Sequence, residues 1–207
     1  MHTSHFQTYL TLFHRISSEP KQFWLIKGIW VTQSNAQYPF LVNKEDALRA
    51  KGVQAVQKMC QIACLLNAAT LYVQPGRINP RGPWLPHPEN TDPATVERLV
   101  SSLRGIASAA ESEGVCLVLE GHVVSPLPTP EKVWEVIETV DSPALRFCED
   151  PINFIGTLEA AYDTTSFLDR FFDVLGPYIA TAHIKDVQVE KKLVLHINQR
   201  QGIGEWI

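Results

Sequence analysis

The chain has 207 residues, 45% of them hydrophobic and 19% charged, enough for one soluble globular domain with a real core. A net charge of −4 gives no basic surface for nucleic acid or an anionic membrane. No run approaches the ~18 apolar residues of a membrane span, and the first twenty lack the basic start and unbroken apolar stretch of a signal peptide.

In chain order, residues 6–16 read as a short amphipathic helix and Phe23–Val31 (FWLIKGIWV) as a buried strand. Asn43 is placed to cap a long helix with Asp46 in its first turn and Val53, Val56, Cys60, Ala63 and Leu66 on its apolar side. Thr70–Gln74 is a second strand, closed by Pro75-Gly76. After a loop over 77–91, Asp92-Pro93 opens a helix striped by Val96, Leu99, Val100, Leu103, Ile106, Ala107 and Ala110. Val115–Glu120 is a third strand, apolar until its last residue. Thr129-Pro130 opens a helix using Val133, Trp134, Ile137 and Val140. Leu145–Asp150 is a fourth strand, Ser166–Leu175 a helix, and Tyr178–Ile184 a fifth strand.

Strands separated by helices imply a parallel α/β sheet, because parallel strands need long crossovers. Either a closed (β/α)8 barrel or an open doubly wound sheet fits. Neither G-x-G-x-x-G after a strand nor G-x-x-x-x-G-K-[ST] occurs. The four cysteines, at 60, 64, 116 and 148, complete no zinc-finger spacing and read as buried reduced thiols, which predicts a cytoplasmic setting.

Three strands end on a potential ligand: Glu120, Asp150 and His183, about one βα unit apart. Each alone also suits a bland role, as a loop carboxylate, a turn-starting Asp-Pro or a core histidine. In an α/β barrel, however, all C-terminal strand ends open on one face. Two carboxylates crowded there repel unless a cation joins them. Oxygen ligands with one imidazole suit Mn²⁺, Mg²⁺, Co²⁺ or Zn²⁺.

Several segments resemble one family. GVCLVLEGH at 114–122, preceded by AAESEG at 109–114, is similar to the glutamate strand of the xylose-isomerase-like sugar phosphate isomerase/epimerase family. RFCEDPIN at 146–153, AHIKD at 182–186, GIGE at 202–205 and HPEN at 87–90 resemble further motifs of that family, in family order. The resemblance implies a partial (β/α)8 TIM barrel with five or six of eight βα units, residues 1–207 forming a single incomplete domain. It implies Glu120, Asp150 and His183 as metal ligands, Glu120 also as catalytic acid/base. His122, Asn153, Lys185 and Glu205 would contact a sugar or sugar phosphate. The implied reaction is metal-dependent isomerisation or epimerisation by proton transfer next to a carbonyl.

A full barrel has eight strands, and only five are legible here. No residue matches the family's second glutamate, the fourth ligand. The expectation is therefore double: an enzyme, completed by another chain or a second copy, or a truncated, non-catalytic remnant with weak metal or sugar binding. An apurinic endonuclease of the same superfamily fits worse, since only seven histidines are present, three of them before residue 15, and the net charge is negative.

Overall fold

The computed structural model describes residues 28–36, 38, 41–186, 189–190 and 193–194. The expected helix at 6–16 and the motif at 202–205 lie outside them. Five parallel strands form one sheet in chain order: β1 (Gln33–Asn35), β2 (Thr70–Val73), β3 (Leu117–Leu119), β4 (Leu145–Glu149) and β5 (Ile179–Ala182). Helices α1 (Asp46–Leu66), α2 (Pro93–Glu113), α3 (Pro130–Val140), α4 (Leu158–Tyr162) and α5 (Thr164–Leu175) make the crossovers. The sequential order, with a helix between neighbouring strands, is a half-barrel, a part of the (β/α)8 TIM fold. A separate antiparallel pair, β6 (Val189–Glu190) and β7 (Leu193–Val194), follows.

Two apolar clusters follow from the two-residue period of the strands. Leu71, Val73, Leu117, Leu119, Leu145 and Phe147 pack against the helices in the main core. Tyr72, Val118 and Cys148, one position out of phase, form a small cluster of their own. Phe147, Phe154 and Phe171 sit with ring centroids 5.5–6.4 Å apart in tilted and edge-to-face pairs.

Two expectations change. Of the expected strand Phe23–Val31, residues 23–27 lie outside the described residues and 28–31 are not strand: Gly28, at φ +64°, turns the chain, Ile29 and Trp30 are exposed, and described pairing begins at Gln33 opposite Thr70. Trp134 is 43% exposed because it lies about 100° around the helix from Val133; Val136 takes its place beside Val133, Ile137 and Val140. Ala182 is exposed on β5, which has a described neighbour on one side alone, whereas Leu117, Leu119 and Phe147 are buried.

Helix ends match their sequence signals unevenly. Thr129 caps α3, its hydroxyl accepting from the Lys132 N–H at 3.2 Å. Asp92 occupies the cap of α2 with no side-chain bond. Asn43 accepts from the Glu45 N–H at 2.8 Å, just ahead of α1. Thr129→Ala is expected to cost about 1 kcal/mol, seen as a thermal-melt drop of roughly 2–4 °C. An unchanged melt would show that this cap contributes nothing.

Candidate metal centre

Glu120, Asp150 and His183 each stand one residue past the last residue of β3, β4 and β5. Their backbones stay tied to the sheet: the Glu120 N–H donates to Val73 O at 3.1 Å and the His183 N–H to Glu149 O at 2.7 Å. The three side chains converge. His183 Nδ1 lies 3.1 Å from Glu120 Oε1 and 3.7 Å from Asp150 Oδ2. Glu120 is 2% exposed and Asp150 0%.

Burial, with the neighbouring Asp150 charge adding to it, raises the Glu120 carboxyl above its ordinary value despite the Tyr72 hydroxyl that donates to Oε2. Burial and the same Glu120 charge push the Tyr72 phenol up as well. Gln74 Nε2 donates to that phenol oxygen at 3.0 Å. Tyr38 sits behind, donating to Tyr72 O and accepting from the Gln74 N–H at 2.5 Å.

The donor set fits a divalent cation. Gln33 Oε1 lies 3.1 Å from His183 Nε2, which holds the ring with Nδ1 facing Glu120. Asp150 Oδ1 is buried and meets no hydrogen-bond donor. Two buried carboxylates and an imidazole brought together, with one carboxylate oxygen lacking a donor, are what a cation would satisfy. Lys185 supplies part of that charge, its ammonium pairing with Asp150 Oδ2 and reaching Asn153 Oδ1 at 3.3 Å.

Above the carboxylates, the 77–91 loop brings Trp84 onto His122, ring centroids 4.2 Å apart and nearly parallel, with the Lys185 ammonium 5.8 Å from the Trp84 ring. His122, Asn153 and Lys185 therefore border the same site. Glu205 lies outside the described residues. The residue between Glu120 and His122 is fixed by space: a Cβ on Gly121 would meet Leu127 O at 2.8 Å and Phe154 Cζ at 2.8 Å.

Sequence reasoning did not find Tyr72, Gln33 or Cys148 here. Cys148 Sγ lies 3.7 Å from each ring nitrogen of His183, and Glu120, Cys148 and His183 offer ligand atoms all within 4.8 Å of one another. The signal was available for two of them. Cys148 is two residues before Asp150 and so shares its face, and Tyr72 is the inward residue of TLYVQ. Burial beside Glu120 and Asp150 pushes the Cys148 thiol up to about 12.

No described helix is long and apolar enough to cross a membrane. Among curated proteins none matches the chain. Solved structures do. The xylose isomerase-like TIM barrel protein from Mycobacterium smegmatis in complex with magnesium is 16% identical at a TM-score of 0.63, over 90% of this chain and 57% of that one. The 3-keto-D-glucoside 4-epimerase from E. coli, in its apo form, is 16% identical at 0.61, over 80% and 62%. Endonuclease IV from Thermus thermophilus is 18% identical at 0.58, over 81% and 57%. The chain spans roughly three-fifths of the length of these structures, and identities this low show the shared fold alone. The family described as "xylose isomerase-like TIM barrel" matches residues 26–205, most of the sequence and all five strands of the sheet. The chain belongs to the xylose isomerase-like TIM barrel family.

Proposed function

We propose that this chain carries the metal centre of a sugar isomerase or epimerase that moves a proton next to a carbonyl. The observation that carries the reading is the convergence of Glu120, Asp150 and His183 at the ends of consecutive strands, two of them buried carboxylates. The magnesium complex and the sugar epimerase among the similar structures support it. Glu120, Asp150 and His183 would hold a divalent cation, whose chemistry is to polarise the carbonyl and adjacent hydroxyl oxygens of a small ketose or sugar phosphate.

The remaining work falls to the side chains. Glu120, its Oε2 occupied by the Tyr72 hydroxyl, takes the proton from the substrate carbon and returns it. Asn153 and Lys185 supply an amide and an ammonium to hydroxyl or phosphate oxygens, and His122 with Trp84 gives an aromatic wall for the apolar face of a sugar.

A second reading, a barrel portion that binds metal or sugar without turnover, has one observation in its favour. The cluster of potential ligands among the described residues contains no second glutamate to oppose Glu120. The test runs in two steps on purified protein. Elemental analysis is expected to show about one Mn²⁺, Co²⁺ or Zn²⁺ per chain, lost in Asp150→Asn and His183→Ala. Incubation of the loaded protein with ketoses in heavy water then follows deuterium entering the carbon next to the carbonyl. Unchanged metal content in the variants would sink the centre; metal without exchange would leave the second reading.

A further inference from the structure

Cys148 sits at the base of this centre with a divided environment. One side packs with Tyr72 and Val118, as a small apolar side chain would. The other side faces the donors, Sγ being 3.7 Å from both His183 Nδ1 and Nε2. Around a tetrahedral zinc ion, a thiolate at about 2.3 Å and an imidazole nitrogen at about 2.1 Å sit about 3.6 Å apart. The observed sulfur–nitrogen spacing matches that figure, and the Glu120 oxygen lies 3.1 Å from Nδ1 on the remaining side. Asp150 has Oδ2 engaged by Lys185 and keeps Oδ1 as a further oxygen donor. The three ligand atoms that lie together are one oxygen, one nitrogen and one sulfur.

We propose that Cys148 is a ligand of this centre, and that Glu120, Cys148 and His183 together favour a thiophilic cation, Zn²⁺ or Co²⁺, over Mg²⁺ or Mn²⁺. The proposal rests on the reading of these residues as a metal centre. Sulfur is a soft ligand, poorly matched to Mg²⁺ and Mn²⁺, which prefer oxygen, and well matched to zinc and cobalt. Binding breaks the S–H bond as the sulfur–metal bond forms. The proton leaves to water and nothing is oxidised or reduced.

X-ray absorption of the zinc-loaded chain is expected to show one sulfur neighbour at about 2.3 Å. The cobalt-loaded chain should show a thiolate-to-cobalt charge-transfer band in the near ultraviolet. Cys148→Ser should remove both signals and weaken Zn²⁺ at least about 100-fold, the upper end of what losing a ligand's outer partner costs, while leaving Mn²⁺ binding unchanged. If Cys148→Ser does not fold, the triple variant Cys60→Ser, Cys64→Ser, Cys116→Ser decides, because Cys148 is then the one thiol left and the sulfur neighbour must persist. Zinc bound by nitrogen and oxygen alone overturns the proposal and leaves the metal centre standing. Failure of Zn²⁺, Co²⁺ and Mn²⁺ all to bind overturns both.

Discussion

Glu120→Gln is expected to raise the melting temperature of the metal-free chain and to abolish the rise that added Mn²⁺ or Zn²⁺ gives the parent. The two effects have opposite signs because Glu120 is costly without a cation and needed with one. Its carboxyl is 2% exposed, faces Asp150 across His183, and has its proton affinity raised by burial first and by the Asp150 charge next. Glutamine keeps an oxygen for the Tyr72 hydroxyl and offers an N–H₂ to the acceptors beside it. Removing one buried charge from the pair should stabilise the metal-free fold by on the order of 1–3 kcal/mol, or roughly 2–4 °C for each kcal/mol.

The pH dependence has a definite sign. Glu120 binds its proton more tightly in the folded chain than in the unfolded one, where it titrates near about 4.3. Its contribution is therefore fully present below that unfolded value and is lost as pH rises through the folded value. Melts of the metal-free parent across this window should fall with pH relative to those of Glu120→Gln. A variant that melts lower than the parent at neutral pH, both metal-free, would show that Glu120 stabilises the fold by itself.

Gly121→Ala is expected to destabilise the chain by about 1–3 kcal/mol and to weaken metal binding with it. The new methyl would meet a backbone oxygen, Leu127 O, and the Phe154 ring edge, both at 2.8 Å, with Leu127 Cβ at 3.1 Å. The oxygen cannot swing aside. Its turn is pinned by the Ser125 hydroxyl, which accepts from the Leu127 N–H at 2.9 Å and from the His122 N–H at 3.3 Å. The strain must therefore move the 120–122 segment, carrying Glu120 away from His183. Gly156→Ala is the comparison: its methyl would meet Val123 Cγ1 at 3.0 Å, a side-chain atom able to turn. Thermal melts of both variants, with and without Mn²⁺, check the difference. Equal losses would mean that contact with backbone is no worse here than contact with a side chain.

The sequence was legible where composition and period agree. VCLVLE and LRFCED show apolar runs that stop on a carboxylate, and the structure ends both strands one residue before it. β1 was not legible, because Gln33-Ser34-Asn35 contains no good strand former. It is a strand because its neighbour makes it one: Ser34 Oγ donates to Thr70 O at 3.2 Å and Thr70 Oγ1 to Thr32 O at 3.1 Å. The more hydrophobic FWLIKGIWV attracted the assignment, yet Gly28 turns it and Trp30 is 79% exposed. The site shows the same division. Strand-end ligands could be found from chain spacing. Gln33, Tyr72 and Cys148 reach the centre from within three strands, and their meeting depends on register between strands, which no single segment encodes.

Glu120 and His183 keep their backbone N–H groups in the sheet's bonding while their side chains stand just beyond the packed layer. Support and chemistry are thereby separable. An exchange of donor at either position alters what the cluster can hold without asking any strand to re-pair. The identity of the donors at these two positions is therefore set apart from the strand pairing that carries them.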